Sequence, residues 1–213
     1  AGFTANYFFN YKTEGQGMNL RVFAGKFFYT VSKTLLNDFN TRRYQLNMSG
    51  ANGNEDYTYS NYFIGRNEFE GWQSQQMMER DGFFKVRTDL LGDKIGKTDD
   101  WLLAANLSGN IPDAINPLSV LPFRLPLKFF IDIGTYSEAW KDNAATGRFI
   151  YDAGLQLSVF KNGVNIYIPL LYSKVYSEYF KTILGEKRFL KTISFNINLD
   201  IFKPVNWQRN IPL

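Results

Sequence analysis

The stretch ISFNINLDI, residues 193–201, alternates an apolar with a polar side chain at every step. Because successive side chains of an extended strand point to opposite faces, this alternation predicts a β-strand with one apolar and one polar face. The same alternation recurs in Phe3–Tyr11, Leu127–Gly134 and Tyr151–Val159, and the apolar face of these stretches carries no charge. The sequence therefore predicts an all-β protein.

Less regular stretches are predicted as further strands, although alternation is poor in residues 75–89. A change of apolar face near Gly25 predicts a β-bulge there, and Lys161–Gly163 contains Asn-Gly, which favours a tight hairpin turn. Short helices are expected over Glu178–Leu184, ended by Gly185, and over Lys33–Phe39. The strands number about ten; the less regular ones are Met18–Tyr29, Arg43–Gly50, Tyr57–Gly65, Gln75–Asp89, Trp101–Ile111 and Val164–Leu170.

Composition narrows the classes of function. The 213 residues include no histidine and no cysteine, so imidazole catalysis, thiolate chemistry, disulfides and His- or Cys-based metal sites are excluded. Lys and Arg number 24 against 20 Asp and Glu, without a basic run, which argues against nucleic acid. We expect no enzyme activity, no catalytic residue, no cofactor and no metal. The start at Ala1 without methionine leads us to expect a mature or processed piece.

Strand length bears on whether the apolar face meets lipid or a protein core. Gly2–Thr13, Ile150–Phe160 and Phe189–Phe202 each run past ten residues, whereas strands of soluble proteins are commonest at about 5–6. About ten residues, tilted, cover the ~25 Å apolar band of an outer-membrane barrel. The aromatic residues, which include 20 Phe and 13 Tyr, gather near the predicted strand ends, as an interfacial girdle would.

These features favour one fold class over its alternative. We predict a single domain, residues 1–213, forming an antiparallel transmembrane β-barrel of about 8–12 strands, or part of one. The most apolar run, residues 117–133, is broken by proline and charge, so no transmembrane helix is expected. The predicted location is the cell outer membrane, in contact with lipid and lipopolysaccharide. The alternative is a soluble antiparallel sandwich or small barrel, which has the same alternation with the apolar face inside.

Charged residues on the predicted polar faces form the candidate site. They could project into the lumen as a selectivity ring or solute-binding cluster, or could satisfy one another inside a narrow barrel, and the second interpretation is favoured. The residues are Arg21, Lys26, Asp132, Arg148, Asp152 and Asp200.

Several short stretches of the sequence resemble those of a known family. They are LRVFAGKF at residues 20–27, the pairs Gly65-Arg66 and Gln75-Gln76, RDG at 80–82, DIGT at 132–135, YDAG at 151–154 and IYIPL at 166–170. Together they resemble the C-terminal region of very large gluzincin-type (aminopeptidase-N-like) proteins of Gram-negative bacteria. The resemblance implies an outer-membrane barrel segment associated with a larger polypeptide. The zinc signature of the family, His-Glu-x-x-His, has no counterpart in this chain, so no catalytic role carries over.

Three hypotheses of function follow. The first is an outer-membrane β-barrel, or part of one, that serves as anchor or scaffold for another protein chain or complex. The second is a small porin-like channel with a polar lumen. The third is a soluble all-β binding domain with an aromatic-rich core.

Overall fold

A computed structural model of the chain describes residues 1–10, 16–29, 45–49, 75–87, 95–120, 126–160, 162–185 and 188–198. The predicted strand Tyr57–Gly65 and the predicted helix Lys33–Phe39 lie outside the described residues, as does Asp200 of the candidate cluster.

Seven strands form one antiparallel sheet that curls like half of a barrel. Each of the seven strands pairs with the one before it and the one after it in chain order. The predicted all-β antiparallel class is therefore confirmed, while the described residues do not close a barrel. The strands are β1 (Gly2–Asn10), β2 (Gly17–Lys26), β5 (Trp101–Asn110), β6 (Leu127–Tyr136), β7 (Ile150–Val159), β8 (Val164–Tyr172) and β9 (Ser194–Ile197); a separate pair is formed by β3 (Leu46–Asn47) and β4 (Lys97–Thr98).

The helices are short and lie in the connections. A helix at Lys174–Tyr179 continues into a π-helical turn at Phe180–Leu184, and Gly185 ends it with a φ of 61°, as predicted. A second helix spans Arg188–Thr192, and single 3-10 turns occupy Asp113–Ile115, Pro117–Val120 and Ser137–Trp140. None of the helices in the described ranges has the length and hydropathy needed to cross a membrane.

The polar face of the sheet lies inside the curl. Side chains from β2, β5, β6, β7, β8 and β9 line one shared cavity, which places them on the concave side. Along β6, Asp132 is buried, whereas its neighbours Ile131 and Ile133 are 47% and 46% exposed. β7 alternates in the same way, with Tyr151 exposed and Asp152 buried.

An apolar core occupies one end of the concave side. Phe23, Leu102 and Ile150 come from the sheet, and Tyr176 and Phe180 cover them from the helical connection. Met48 and Phe84 fill the space between, fully buried. The other end of the concave side is polar, so the inside of the curl is divided into an apolar and a polar half.

The prediction of a β-bulge near Gly25 is wrong. β2 pairs without interruption through Gly25 on both of its edges, so no bulge occurs there. The register instead shifts where Ala153 pairs with Leu171 and Gly154 with Pro169, so Leu170 is the extra residue of a bulge in β8. Pro169 has no N–H to donate to the ladder, and bulges are among the places where a sheet tolerates proline.

Within the described residues, three predicted strands depart from their expected ranges. Of residues 45–49 in the predicted Arg43–Gly50, only the two residues of β3 are in a strand, and residues 75–87 form an irregular segment with a single bridge between Gln76 and Phe195. The C-terminal strand begins at Ser194 because the five residues before Ile193 are helical, with the Thr192 hydroxyl donating to the Phe189 carbonyl.

Candidate functional site

Residues 75–87, here called the inner segment, cover the polar half of the concave face. The backbone N–H of Met77 donates to the Phe195 carbonyl at 2.6 Å, and the Ser194 hydroxyl donates to the Lys85 carbonyl at 2.5 Å. From the opposite side of the sheet, Arg21 donates to the Asp81 carbonyl at 2.8 Å. A segment without regular structure leaves its backbone groups unpaired, and here polar side chains of the sheet supply the missing partners.

Glycine permits the closest approach within the inner segment. A Cβ at Gly82 would lie 2.5 Å from the carbonyl oxygen of Met48 and 2.7 Å from its Cα. The Gly82 carbonyl accepts from the Asn106 side chain at 2.8 Å, and its N–H donates to the Asn47 carbonyl at 3.2 Å. Asp81 and Phe83 on either side have positive φ angles of 48° and 49°, which few residues adopt. The turn is held tightly between β3 and β5.

Lys85 anchors the inner segment through a buried charge cluster. Its ammonium contacts both carboxylate oxygens of Asp132, at 3.0 and 3.2 Å, and its backbone N–H donates to Asp152 at 2.9 Å. The two aspartates face each other directly across β6 and β7. The side chain of Lys85 therefore binds one aspartate and its backbone binds the other, and both aspartates are fully buried.

Three aromatic rings surround the same ammonium. The Lys85 Nζ lies 3.8 Å from the centre of the Phe83 ring, 5.4 Å from that of Tyr167 and 5.7 Å from that of Phe130. Tyr167 meets both phenylalanine rings edge-on. A cation over an aromatic face is stabilised by the ring quadrupole, and more so when it is removed from water. The cluster is thus a desolvated cation held by the Asp132 carboxylate and three rings.

A polar cavity of about 280 Å³ remains beside the inner segment. Amide side chains are frequent in its wall, where Gln156, Asn165 and Asn196 form a chain of hydrogen bonds with the neighbouring Ser158, between 2.7 and 3.2 Å. Lys128 at its edge donates to Asn162 at 2.8 Å. The wall satisfies its own polar groups to a large extent, as expected of a hydrogen-bonded interior.

Asp81 is a titratable residue in the turn of the inner segment, and it lies outside the strands of the sheet. Burial raises the pKa of its carboxyl above the ordinary value. The backbone N–H of Asn47, which donates to this carboxylate at 3.1 Å, and the charges of Arg80 and Arg21 pull the pKa the other way.

The structure brings together part of the predicted cluster. Arg21, Asp132 and Asp152 all lie buried on the concave face. Lys26 is exposed at the end of β2, and Arg148 is exposed ahead of β7, 4.8 Å above the Trp140 ring. Asp200 lies outside the described residues.

Sequence reasoning missed Lys85, which holds the cluster together. The poor alternation of residues 75–89 was the available signal in the sequence. A segment enclosed by a curled sheet need not have one apolar and one polar face. Neither aspartate carboxyl of the cluster is accessible to solvent, so the cluster is built to hold the inner segment in place.

Comparison with protein-family models, curated proteins and solved structures finds no match to this chain. The resemblance to the C-terminal region of gluzincin-type proteins therefore stays a prediction. Within the described residues, no group of three or more carboxylates is placed to hold a metal ion.

Proposed function

We propose that this chain is an integral outer-membrane β-sheet protein, forming all or part of a barrel, that serves as membrane anchor or scaffold for a larger polypeptide or complex. One observation carries the proposal: the apolar face of the curled sheet is exposed and the charged face is buried. A water-soluble sheet protein buries the opposite face.

Exposed and half-buried apolar side chains form continuous rows across the sheet. In one row Val22, Ala105, Ile133 and Tyr151 pair in register from β2 to β7; in the next, Leu20, Leu107, Ile131, Ala153 and Leu171 pair from β2 to β8. Leu171 is 66% exposed. Large contiguous apolar patches are rare on soluble monomers and mark contact with a membrane or a partner.

The dimensions of the sheet agree with a bilayer. β5, β6 and β7 each have ten residues, which at a rise of ~3.3 Å and a tilt of ~40° span about 25 Å. Exposed aromatic side chains stand at both ends: Tyr29, Trp140 and Phe149 at one, Phe160 at the other. Tyr136, at the end of β6, is instead buried in the core.

The filled concave side favours an anchor over an open channel. Phe83, Phe84 and Lys85 of the inner segment lie where a pore would run, and all three are buried. Conduction would require the Lys85–Asp132 contact to open.

Membrane association of the chain in native envelopes tests the proposal. We expect the chain to stay in the pellet after alkaline carbonate extraction, to float with lipid in a density gradient and to migrate on gels in a heat-dependent manner. Release into the supernatant as a folded monomer would contradict the proposal and favour the soluble binding domain. Steps of single-channel current from the purified protein would favour the channel instead.

A further inference from the structure

Three cationic side chains line the polar cavity of about 280 Å³, and they differ in how their charge is balanced. Lys85 forms the ion pair with Asp132 described above. Neither Arg21 nor Lys128 forms an ion pair with a described residue. Within the described ranges, the wall therefore has two cations whose charge no contacting carboxylate balances.

The guanidinium of Arg21 has one side engaged and one side free. Its Nη1 donates to the Asp81 carbonyl at 2.8 Å and to the Asn106 side chain at 2.9 Å. Its Nη2 and Nε donate to no group in the part of the chain that the structure describes. These two nitrogens share one edge of the planar guanidinium, and such an edge can bind two oxygens of one oxyanion. Arg21 is buried, and a charge removed from water is usually paired.

Tyr167 supplies a further donor in the same wall. The side chain is buried, and its ring is held edge-on against Phe83 and Phe130. Its hydroxyl bonds to no group among the described residues. Because a buried tyrosine hydroxyl usually has a hydrogen-bond partner, this hydroxyl is available to a ligand.

Lys128 and Glu79 set the charge of the cavity on either side of Arg21. Lys128 is half-buried, and its ammonium makes one hydrogen bond, to Asn162 at 2.8 Å. Glu79 is exposed on the inner segment, lines the same cavity and forms no ion pair with a described residue. Lys128 therefore attracts an anion to the cavity, whereas Glu79 opposes its entry.

The size and the wall of the cavity define the ligand. Pockets for drug-sized molecules have volumes of ~300–1,000 Å³, so a cavity of about 280 Å³ takes a small ligand. A phosphate group carries about 1.5 to 2 negative charges at pH 7 and three strong acceptor oxygens. These match the free guanidinium edge, the Lys128 ammonium and the Tyr167 hydroxyl. Amide side chains complete the wall: Asn19, Gln156, Asn165 and Asn196.

We propose that this cavity binds a small ligand through a phosphate group, with Arg21 as the bidentate donor. The site goes beyond the proposed anchor function and does not depend on the membrane location. Its affinity is set by Lys128, which strengthens binding, and by Glu79, which weakens it.

Titration calorimetry with inorganic phosphate tests the proposal on the purified chain in a phosphate-free detergent. We expect saturable binding of one phosphate per chain. Arg21→Lys keeps the charge but loses the two-donor edge, and should weaken binding about tenfold or more. Lys26→Gln is the matched control, because it removes an exposed cation of the same strand outside the cavity. It should leave the affinity unchanged within about twofold.

Two further variants shift the affinity in opposite directions and keep the test decisive if Arg21→Lys does not fold. Lys128→Gln should weaken phosphate binding a few-fold, and Glu79→Gln should strengthen it a few-fold, as expected of partly exposed charges. A role of these side chains in folding alone would not produce opposite shifts.

Competition separates the two sources of a phosphate group. Displacement of inorganic phosphate by glycerol 3-phosphate supports a soluble ester as ligand, and displacement by phosphatidic acid in the micelles supports a lipid headgroup. The proposal is overturned if phosphate does not bind saturably, as when a carboxylate elsewhere in the chain already pairs with Arg21. Weaker binding by Glu79→Gln, or an equal loss in Lys26→Gln and Arg21→Lys, overturns it as well. Extraction of the chain by alkali overturns the membrane location alone.

Discussion

Lys85 has a role that its position in an irregular segment conceals. Its ammonium reaches Asp132 at 3.0 Å with both side chains almost completely buried. An ion pair taken out of water gains little net stability, but removing one partner leaves the other charge buried and unpaired. The contact therefore fixes where the inner segment lies more than it adds to stability.

Lys85→Met is expected to lower the free energy of unfolding by ~3–5 kcal/mol, because Asp132 would lose its counter-charge. Adding Asp132→Asn should recover part of the loss. Urea unfolding in detergent, followed by tryptophan fluorescence, measures both.

Lys141→Met is the matched control for that variant. Lys141 pairs with Glu138 at 3.6 Å, with 58% of the lysine side chain exposed, and such pairs contribute about 0–1 kcal/mol. Equal losses for the two lysine variants would show that Lys85 is not held as described.

Asp81 predicts a dependence of stability on pH. Burial places its pKa above that of the unfolded chain, so the folded state holds the proton more tightly. Its contribution to stability is then fully present below the unfolded pKa, about 4, and is lost as pH rises through the folded pKa. Asp81→Asn should therefore reduce the loss of stability between acidic and neutral pH.

Thermal unfolding in detergent across this pH range checks the Asp81 prediction. Asp142→Asn, at an exposed position, is the control and should follow the unsubstituted protein. Identical pH profiles for Asp81→Asn and Asp142→Asn would refute the assignment.

Among the strands, the close pairing of β7 with β8 requires a glycine. A Cβ at Gly154 would lie 2.1 Å from the Ile168 carbonyl oxygen and 2.9 Å from the Pro169 Cα. Both are backbone atoms, which cannot move aside as a flexible side chain would. The bulge at Leu170 lies in the opposite strand, next to Pro169.

Gly154→Ala should thus lower the midpoint of thermal unfolding by several degrees or prevent folding, since the two strands would have to separate locally. Gly147→Ala, whose Cβ would have its nearest atom at 3.8 Å, should have almost no effect. Heat-dependent gel migration compares them, and a stable Gly154→Ala protein would show that the strands are further apart than described.

Alternation predicted the strands whose two faces meet different surroundings. β6 and β7 are such strands: β7 lies within the predicted Ile150–Phe160, and β6 begins at the predicted Leu127 and continues two residues past Gly134. The inner segment and the helix at Arg188–Thr192 were not predicted from the sequence, because their surroundings are set by the fold. Residues 75–87 are enclosed by the sheet, and the sequence does not reveal which distant strands enclose them.

The residues of the candidate site also divide into those that the sequence predicts and those that it does not. Arg21, Asp132 and Asp152 could be predicted because each occupies a polar position on a strand. Lys85 could not, since its contacts span 47 residues to Asp132 and 67 to Asp152. No local pattern encodes a contact at that separation.

For the molecule as a whole, an apolar outer face in contact with hydrocarbon means that a charged side chain placed on that face lowers stability. Ile131 lies near the middle of β6 and is 47% exposed. Ile131→Lys should lower the free energy of unfolding in lipid by ~2–4 kcal/mol, as for a cation at the bilayer midplane.

Asn143→Lys, in an exposed turn, controls for the added charge. Its effect should stay within about 0.5 kcal/mol. If Ile131→Lys is equally mild in lipid vesicles, the face is not in contact with hydrocarbon.

The most direct measurement is the collision rate of nitroxide labels in lipid vesicles. The chain has no cysteine, so single cysteines can be placed at Leu103, Ala105 and Ile133 on the outer face and at Asn19 and Ser108 by the cavity. We predict frequent collisions with oxygen and few with a water-soluble nickel complex at the outer positions, and the opposite preference by the cavity. Nickel-accessible labels at Leu103, Ala105 and Ile133 would contradict this orientation of the sheet.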